Sequence, residues 1–233
     1  MRDIVTRLEF IASLSSERTI ADVGSDHGFL VKILFERGSI DYAYAMDISQ
    51  KCVDKARHNL DAFSSKTTFL CGDGLEPLDS ILQDNLAQKQ HNIVPKQVFI
   101  AGMGGKEIKN ILSQYAAQKI DKYVLSPQRD VVELRRFLLD NNFTILVDKV
   151  VKEGKMFYNV ISVQRNAGSH NSKQTLTENE LLFGLTNIRE MHNDFTQYAK
   201  FQLSMWEDIL AKKEVPDIRA KYNLLRSVFS GKL

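Results

Sequence analysis

Cysteine is nearly absent from this chain: 233 residues hold two, Cys52 and Cys71, with no CxxC spacing. Both stand in apolar surroundings, so free buried thiols are expected, not a disulfide or a metal site, and a reducing compartment fits. An excess of charge of one sign is also missing. The 31 Lys and Arg against 29 Asp and Glu leave a net charge of +2. From Asn171 onward nine basic side chains stand against eight acidic ones, and the remainder is 22 against 21, so each portion carries +1. No basic nucleic-acid-binding tail is present, and any basic surface must arise by folding. No apolar run approaches the ~20 residues that span a bilayer. Asp3 and Glu9 interrupt the region where a signal peptide would need a continuous apolar core. A cytoplasmic protein without membrane contact is expected. Its 43% hydrophobic and 26% charged residues are ordinary for a globular chain, and the length allows one α/β domain plus a smaller appendage.

What is present is organised around Thr19-Ile-Ala-Asp-Val-Gly-Ser-Asp-His-Gly-Phe-Leu30. Thr19 to Val23 is β-branched and apolar and reads as a buried strand. Gly24 ends it in a tight turn, and His27 onward has helical spacing, which sets Asp26 at the start of that helix. An amphipathic helix through Ile4, Leu8 and Ile11 precedes this unit. Strands over Tyr42–Met46, Thr67–Cys71, Val98–Ala101 and Tyr123–Leu125 follow, alternating with helices. The stretch from Asp79 to Lys96 reads as a helical turn plus a surface insertion. Phe143–Val151 and Phe157–Val163 flank the Gly154-Lys155 turn too closely for a helical crossover and must pair antiparallel. The expected fold is a mostly parallel α/β sheet of seven strands, one antiparallel, over residues 1–165. Asn166 to Thr175 reads as a linker. Residues 176–233 read as a small all-helical, coiled-coil-like domain, opened by the Thr177–Glu180 capping box, broken near His192-Asn193 and restarted at Pro216.

In such a sheet the ligand sits at the carboxyl ends of the strands. The turns there are rich in acid, which separates the candidate cofactors. A dinucleotide sets its pyrophosphate on the first helix N-terminus, where Asp26 would oppose it. S-adenosylmethionine (SAM) carries a sulfonium and an ammonium and tolerates acids. The glycine spacings agree: GxGxxG from Gly24 would need glycine at Asp26 and Phe29, and a P-loop ending at Gly105-Lys106 fails at Ile100 and Glu107. Asp47 is expected to accept the ribose hydroxyls, with Ile48 beside it in the same loop. Asp73, next to Gly74, is expected at the adenine amino group. Asp22, with Gly24, orients the first turn and the methionine ammonium. His27 and Gly28 shape that turn against the cofactor, and Gly102-Met103 closes it from the fourth strand. No metal ligand set is recognised. Each carboxylate has the alternative of bonding its own turn.

The ordered set Arg7-Leu8, Ala21-Asp-Val-Gly-Ser-Asp-His27, Gly72-Asp-Gly-Leu75 and Ala101-Gly-Met-Gly-Gly105, followed by a helical tail, resembles the bacterial tRNA (adenine-22 N1)-methyltransferase family, with the Rossmann-like class I methyltransferase fold. Where that family shows Gln-Pro-Asn this chain has Ser126-Pro127-Gln128. The resemblance implies SAM-dependent formation of 1-methyladenosine in tRNA. Asp26 is then the candidate catalytic acid near N1 or N6, its rival role being to hold the methionine ammonium. Arg7, Lys106, Gln128 and Arg129 are candidate substrate contacts. Lys109, Arg135 and Arg136 also lie on elements able to ring the cleft and meet phosphates. A monomer is expected, with a weak dimer through the helical tail as the alternative, and no DNA partner. Methylation of another RNA, a protein or a small molecule, or a non-catalytic RNA-binding scaffold, are the competing functions.

Overall fold

The computed structural model describes residues 6–79, 81–82, 94–166 and 173–229. Most of the 79–96 insertion and of the 166–175 linker lies outside these residues. Helix α1 (Arg7–Ser13) starts at a capping box, in which Thr6 Oγ1 accepts the Glu9 N–H and the Glu9 carboxylate accepts that of Thr6. The alternation read from the sequence is then realised as β1 (Thr19–Val23), α2 (Phe29–Glu36), β2 (Tyr42–Asp47), α3 (Gln50–Asn59), β3 (Thr67–Cys71), β4 (Gln97–Ala101), α4 (Gly105–Leu112), β5 (Lys122–Ser126), α5 (Val131–Asp140), β6 (Phe143–Glu153) and β7 (Met156–Arg165).

The seven strands form one sheet in the order β3-β2-β1-β4-β5-β7-β6. β1 to β5 pair in parallel, and β7 is antiparallel to both β5 and β6. The order reverses between β1 and β4, which opens the crevice where α/β sheets bind ligands. Both faces are covered. Ile108, Ile111, Leu134 and Leu138 of α4 and α5 bury against Val23, Ile100 and Leu125. On the other face Ile11 of α1 and Leu30, Val31 and Leu34 of α2 meet Ile20, Phe99, Val124 and Val160.

The helical tail departs from the expected pattern at one point. It breaks at His192, which caps α8 (Asn193–Lys212), as expected. It also breaks at Gly184, between α6 (Glu178–Phe183) and α7 (Leu185–Glu190). Gly184 has φ +96°, and a Cβ there would lie 2.9 Å from Asp148 Oδ1, so only glycine lets the chain pass this close to the strand. α8 and α9 (Pro216–Phe229) lie antiparallel: Phe195 near the start of α8 stacks on Phe229 at the end of α9. Trp206 is buried in this cluster with Phe195, Tyr222 and Leu225.

α7 and α8 also cover β6, the outer strand of the sheet. The N–H groups of Asp148, Val150 and Lys152 donate to Thr186 Oγ1, Asn187 Oδ1 and Asp194 Oδ2 at 2.8, 2.9 and 3.0 Å. Gln174 Oε1 does the same for Ile145 at 2.8 Å. Side chains thus complete a ladder that no further strand occupies, as buried backbone donors require.

Candidate active site

A cavity of about 310 Å³ opens at the carboxyl ends of β1 to β4. Gly24, Asp47, Ile48, Asp73, Gly74 and Met103, all singled out from the sequence, line it. The first turn shapes one wall. Gly24 has φ +72°, and a Cβ there would lie 2.5 Å from Met103 Cε. Glycine is required both by the left-handed backbone and by the close approach of the β4 loop.

Asp47 links two loops. Its Oδ2 accepts the Asp26 N–H at 3.1 Å and its Oδ1 accepts the Ser49 N–H at 2.9 Å. Each carboxylate oxygen keeps a second lone pair for a ligand hydroxyl. Asp73 is exposed in the cavity wall. Its loop is fixed by Gln114, whose Oε1 accepts the Leu75 N–H at 2.6 Å and whose Nε2 donates to the Asp73 carbonyl at 3.3 Å.

The sequence reading missed the α4 wall. Glu107, Asn110 and Ile111 of α4 face the cavity at the three- and four-residue spacing of one helical stripe, and Gln114, two residues past the helix end, continues it. That spacing was visible beside the apolar stripe of Ile108, Ile111 and Leu112. What it faced was not, because the partner loop lies 39 residues away from Gln114.

Asp26 requires a correction. It does not start a helix: α2 begins at Phe29, capped by Gly28, and Asp26 and Gly28 are both left-handed, at φ 47° and 72°. Two such residues cannot extend a right-handed helix. The Asp26 side chain is 63% exposed and lies 3.6 Å from His27 Nε2. His27 stacks on Phe29, and its Nε2 is 3.4 Å from Lys55 Nζ. Asp26, His27, Gly28 and Gly102 border the first turn and the β4 loop without lining the cavity.

Asp22 is buried at the end of β1, and burial, reinforced by the negative charge of Asp47, pushes its carboxyl from 3.8 up to about 7. Ser25 beside it pulls the other way, although its buried Oγ makes no hydrogen bond within 3.5 Å among the described residues. Asp22 and Ser25 flank Val23 and Gly24, which line the cavity, and a carboxyl beside a hydroxyl there suits a cationic group. The raised value has a consequence for stability. Between pH 3.8 and about 7 the folded protein holds a proton that the unfolded chain has released, so stability falls as pH rises through that range and levels off above it. Asp22→Asn should abolish this fall in a series of melting temperatures from acid to neutral pH. Parallel curves for variant and parent would contradict the assignment.

The candidate substrate residues separate. Arg7 stands at the sheet rim, its guanidinium 4.6 Å over the Tyr158 ring and its backbone N–H donating to Glu153 Oε1 at 3.0 Å. Gln128 is exposed, its backbone N–H donating to the Met103 carbonyl at 2.9 Å. Lys106 is exposed on the first turn of α4. Arg129 pairs with Glu107 at 2.7 Å, which offsets its charge. Arg135 is not on the surface: it is 1% exposed and paired with Asp148, because its helix turns that position onto β6. Among the described residues no cluster of three or more His, Cys, Asp or Glu is placed to hold a metal, and no helix is long and apolar enough to cross a membrane.

A seven-stranded sheet reversed at β1/β4, with an acid-lined cavity at that reversal and no phosphate-binding glycine pattern, defines a Rossmann-like methyltransferase fold. The chain belongs to the Methyltransferase domain family, which its sequence matches over residues 4–161. It is 30% identical over 181 residues, 76% of this chain and 78% of the relative, to a Mycoplasma pneumoniae protein provisionally named a tRNA methyltransferase. Two solved structures are similar over nearly the whole length. One is a Streptococcus pneumoniae protein, provisionally a tRNA (m1A22) methyltransferase, in complex with S-adenosyl-L-methionine (TM-score 0.80, 26% identity, 95% of this chain and 97% of that one). The other is Mycoplasma capricolum TrmK in complex with S-adenosyl-homocysteine (TM-score 0.78, 25% identity, 97% and 98%). The family resemblance and the fold class read from the motifs are borne out.

Proposed function

We propose that this protein methylates N1 of adenosine 22 in tRNA, with SAM as the methyl donor. The observation that carries this reading is the acid-lined cavity at the sheet reversal, with Asp47 and Asp73 in its walls, in a chain whose relatives act on tRNA by name. SAM supplies an electrophilic methyl group on a sulfonium. In the proposed complex Asp47 accepts the ribose hydroxyls, Asp73 accepts the adenine amino group, and Asp22 with Ser25 faces the methionine ammonium.

Neutral adenine already has a lone pair on N1, so no strong base is needed before methyl transfer. The methylated base is cationic, and a nearby carboxylate stabilises that charge or takes the N6 proton. Asp26 is assigned this role, and its exposed carboxylate beside His27 suits it. Arg7, Lys106, Gln128 and Arg129 are assigned to the RNA. N1 lies on the Watson–Crick edge, so a paired target must first be exposed. In this proposal residues 1–165 carry the methyl-transfer site, and the helices of residues 176–233 hold the tRNA body. The protein works as a cytoplasmic monomer.

The test is incubation of the protein with labelled SAM and unmodified bulk tRNA, followed by nucleoside analysis. 1-Methyladenosine is the expected product. Its absence, or label in another nucleoside, would overturn the proposal.

A further inference from the structure

At the carboxyl ends of β5 and β6, two buried polar atoms that do not line the cofactor cavity have no hydrogen-bond partner among the described residues: Ser126 Oγ and Arg7 Nε. Ser126 is 1% exposed. Burying a hydroxyl without a partner costs about 1–3 kcal/mol, so an alanine there would fold better, and such an orphan needs an explanation.

The strand registers show what surrounds it. Ser126 ends β5 and lies opposite Ala101 of β4. On its other side Leu125 pairs with Ile161 of β7, which sets Val160 opposite Ser126 and Tyr158 on the diagonal, about 7–8 Å away. Val124 and Val160 both belong to the core layer beneath α1 and α2. Strand alternation therefore puts Ser126 and Tyr158 on that same face. The Arg7 guanidinium lies 4.6 Å over the Tyr158 ring. Ser126 adjoins the cofactor cavity through the loop from Ala101 to Met103: the Gly102 N–H donates to the Ser126 carbonyl at 3.2 Å, and Met103 lines the cavity.

We infer that Ser126 and Arg7 form the seat of the acceptor base and grip the Hoogsteen edge of a purine. The inference rests on the proposed adenine-N1 methylation. With N1 turned toward the methyl donor, N7 and the second N6 hydrogen remain free for the protein. Arg7 Nε donates to N7, and Ser126 Oγ accepts from N6. The Tyr158 ring holds the guanidinium in place.

Ser126→Ala tests this. The KM for unmodified tRNA should rise about three- to tenfold, the worth of one neutral hydrogen bond. SAM affinity should not change, and the melting temperature should be equal to or above that of the parent. A tRNA carrying 7-deazaadenosine at the target should be a poorer substrate for the parent protein and show no further loss with Arg7→Met. If the parent methylates tRNA but Ser126→Ala keeps its KM, or loses stability along with activity, the seat is overturned and the function stands. If the parent forms no 1-methyladenosine, both fall.

Discussion

Replacing Asp148 with alanine is expected to cost about 3–5 kcal/mol of folding stability, the usual penalty for leaving one partner of a buried ion pair alone. Arg135 donates from Nε to Asp148 Oδ2 at 2.7 Å and from Nη2 to Oδ1 at 2.9 Å, with the two side chains 1% and 0% exposed. Nη1 donates to the Leu181 and Leu182 carbonyls at 3.1 Å. The guanidinium therefore joins three elements: its own helix α5, strand β6 and the end of α6. Without Asp148 it stays buried with two donors, Nε and Nη2, unmatched. Replacing both partners with apolar residues of similar volume should cost far less, because no charge is then stranded. Urea denaturation of the single and double variants measures the difference. A single-variant loss below about 1 kcal/mol, the range of an exposed pair, would show that the site admits water.

Asp47→Ala is expected to weaken SAM binding roughly ten- to a hundredfold in calorimetric titration. A hydrogen bond to a charged group contributes ~1.5–3 kcal/mol, and each 1.4 kcal/mol is about tenfold in affinity. The substitution also frees the Asp26 and Ser49 N–H groups that Asp47 now holds. Loosening of those loops would lower affinity further. Asp47→Asn separates the two contributions. One amide oxygen can still hold one of those N–H groups, but it cannot accept from two ribose hydroxyls as well. Unchanged affinity in both variants would remove Asp47 from the cofactor site.

Local patterns carried most of the fold. The β-branched run before Gly24, the turn at Gly154-Lys155 and the Thr177–Glu180 box each fix their element within a few residues, and the structure has all three. The misread positions depend on distant partners. Arg135 looks like a surface cation on an amphipathic helix until β6 brings Asp148 to it. Gly184 sits inside a regular apolar spacing and breaks it because of its distance to the Asp148 side chain. Gln114 gains its role from a loop formed after another strand. Asp26 was placed one turn too far along: Gly28 could have marked a left-handed position ahead of α2, but nothing in the sequence marks Asp26 itself as left-handed.

The side-chain ladder along β6 also governs how copies of this chain can meet. Three consecutive outward N–H groups of that strand are taken by Thr186, Asn187 and Asp194, so a second molecule cannot extend the sheet there. Those residues are made after the strand they protect. A nascent chain, or a fragment ending near residue 165, presents a bare strand edge of the kind that recruits other strands into aggregates. The helical tail therefore acts, whatever else it binds, as a guard against sheet-edge association that is in place only once synthesis is complete.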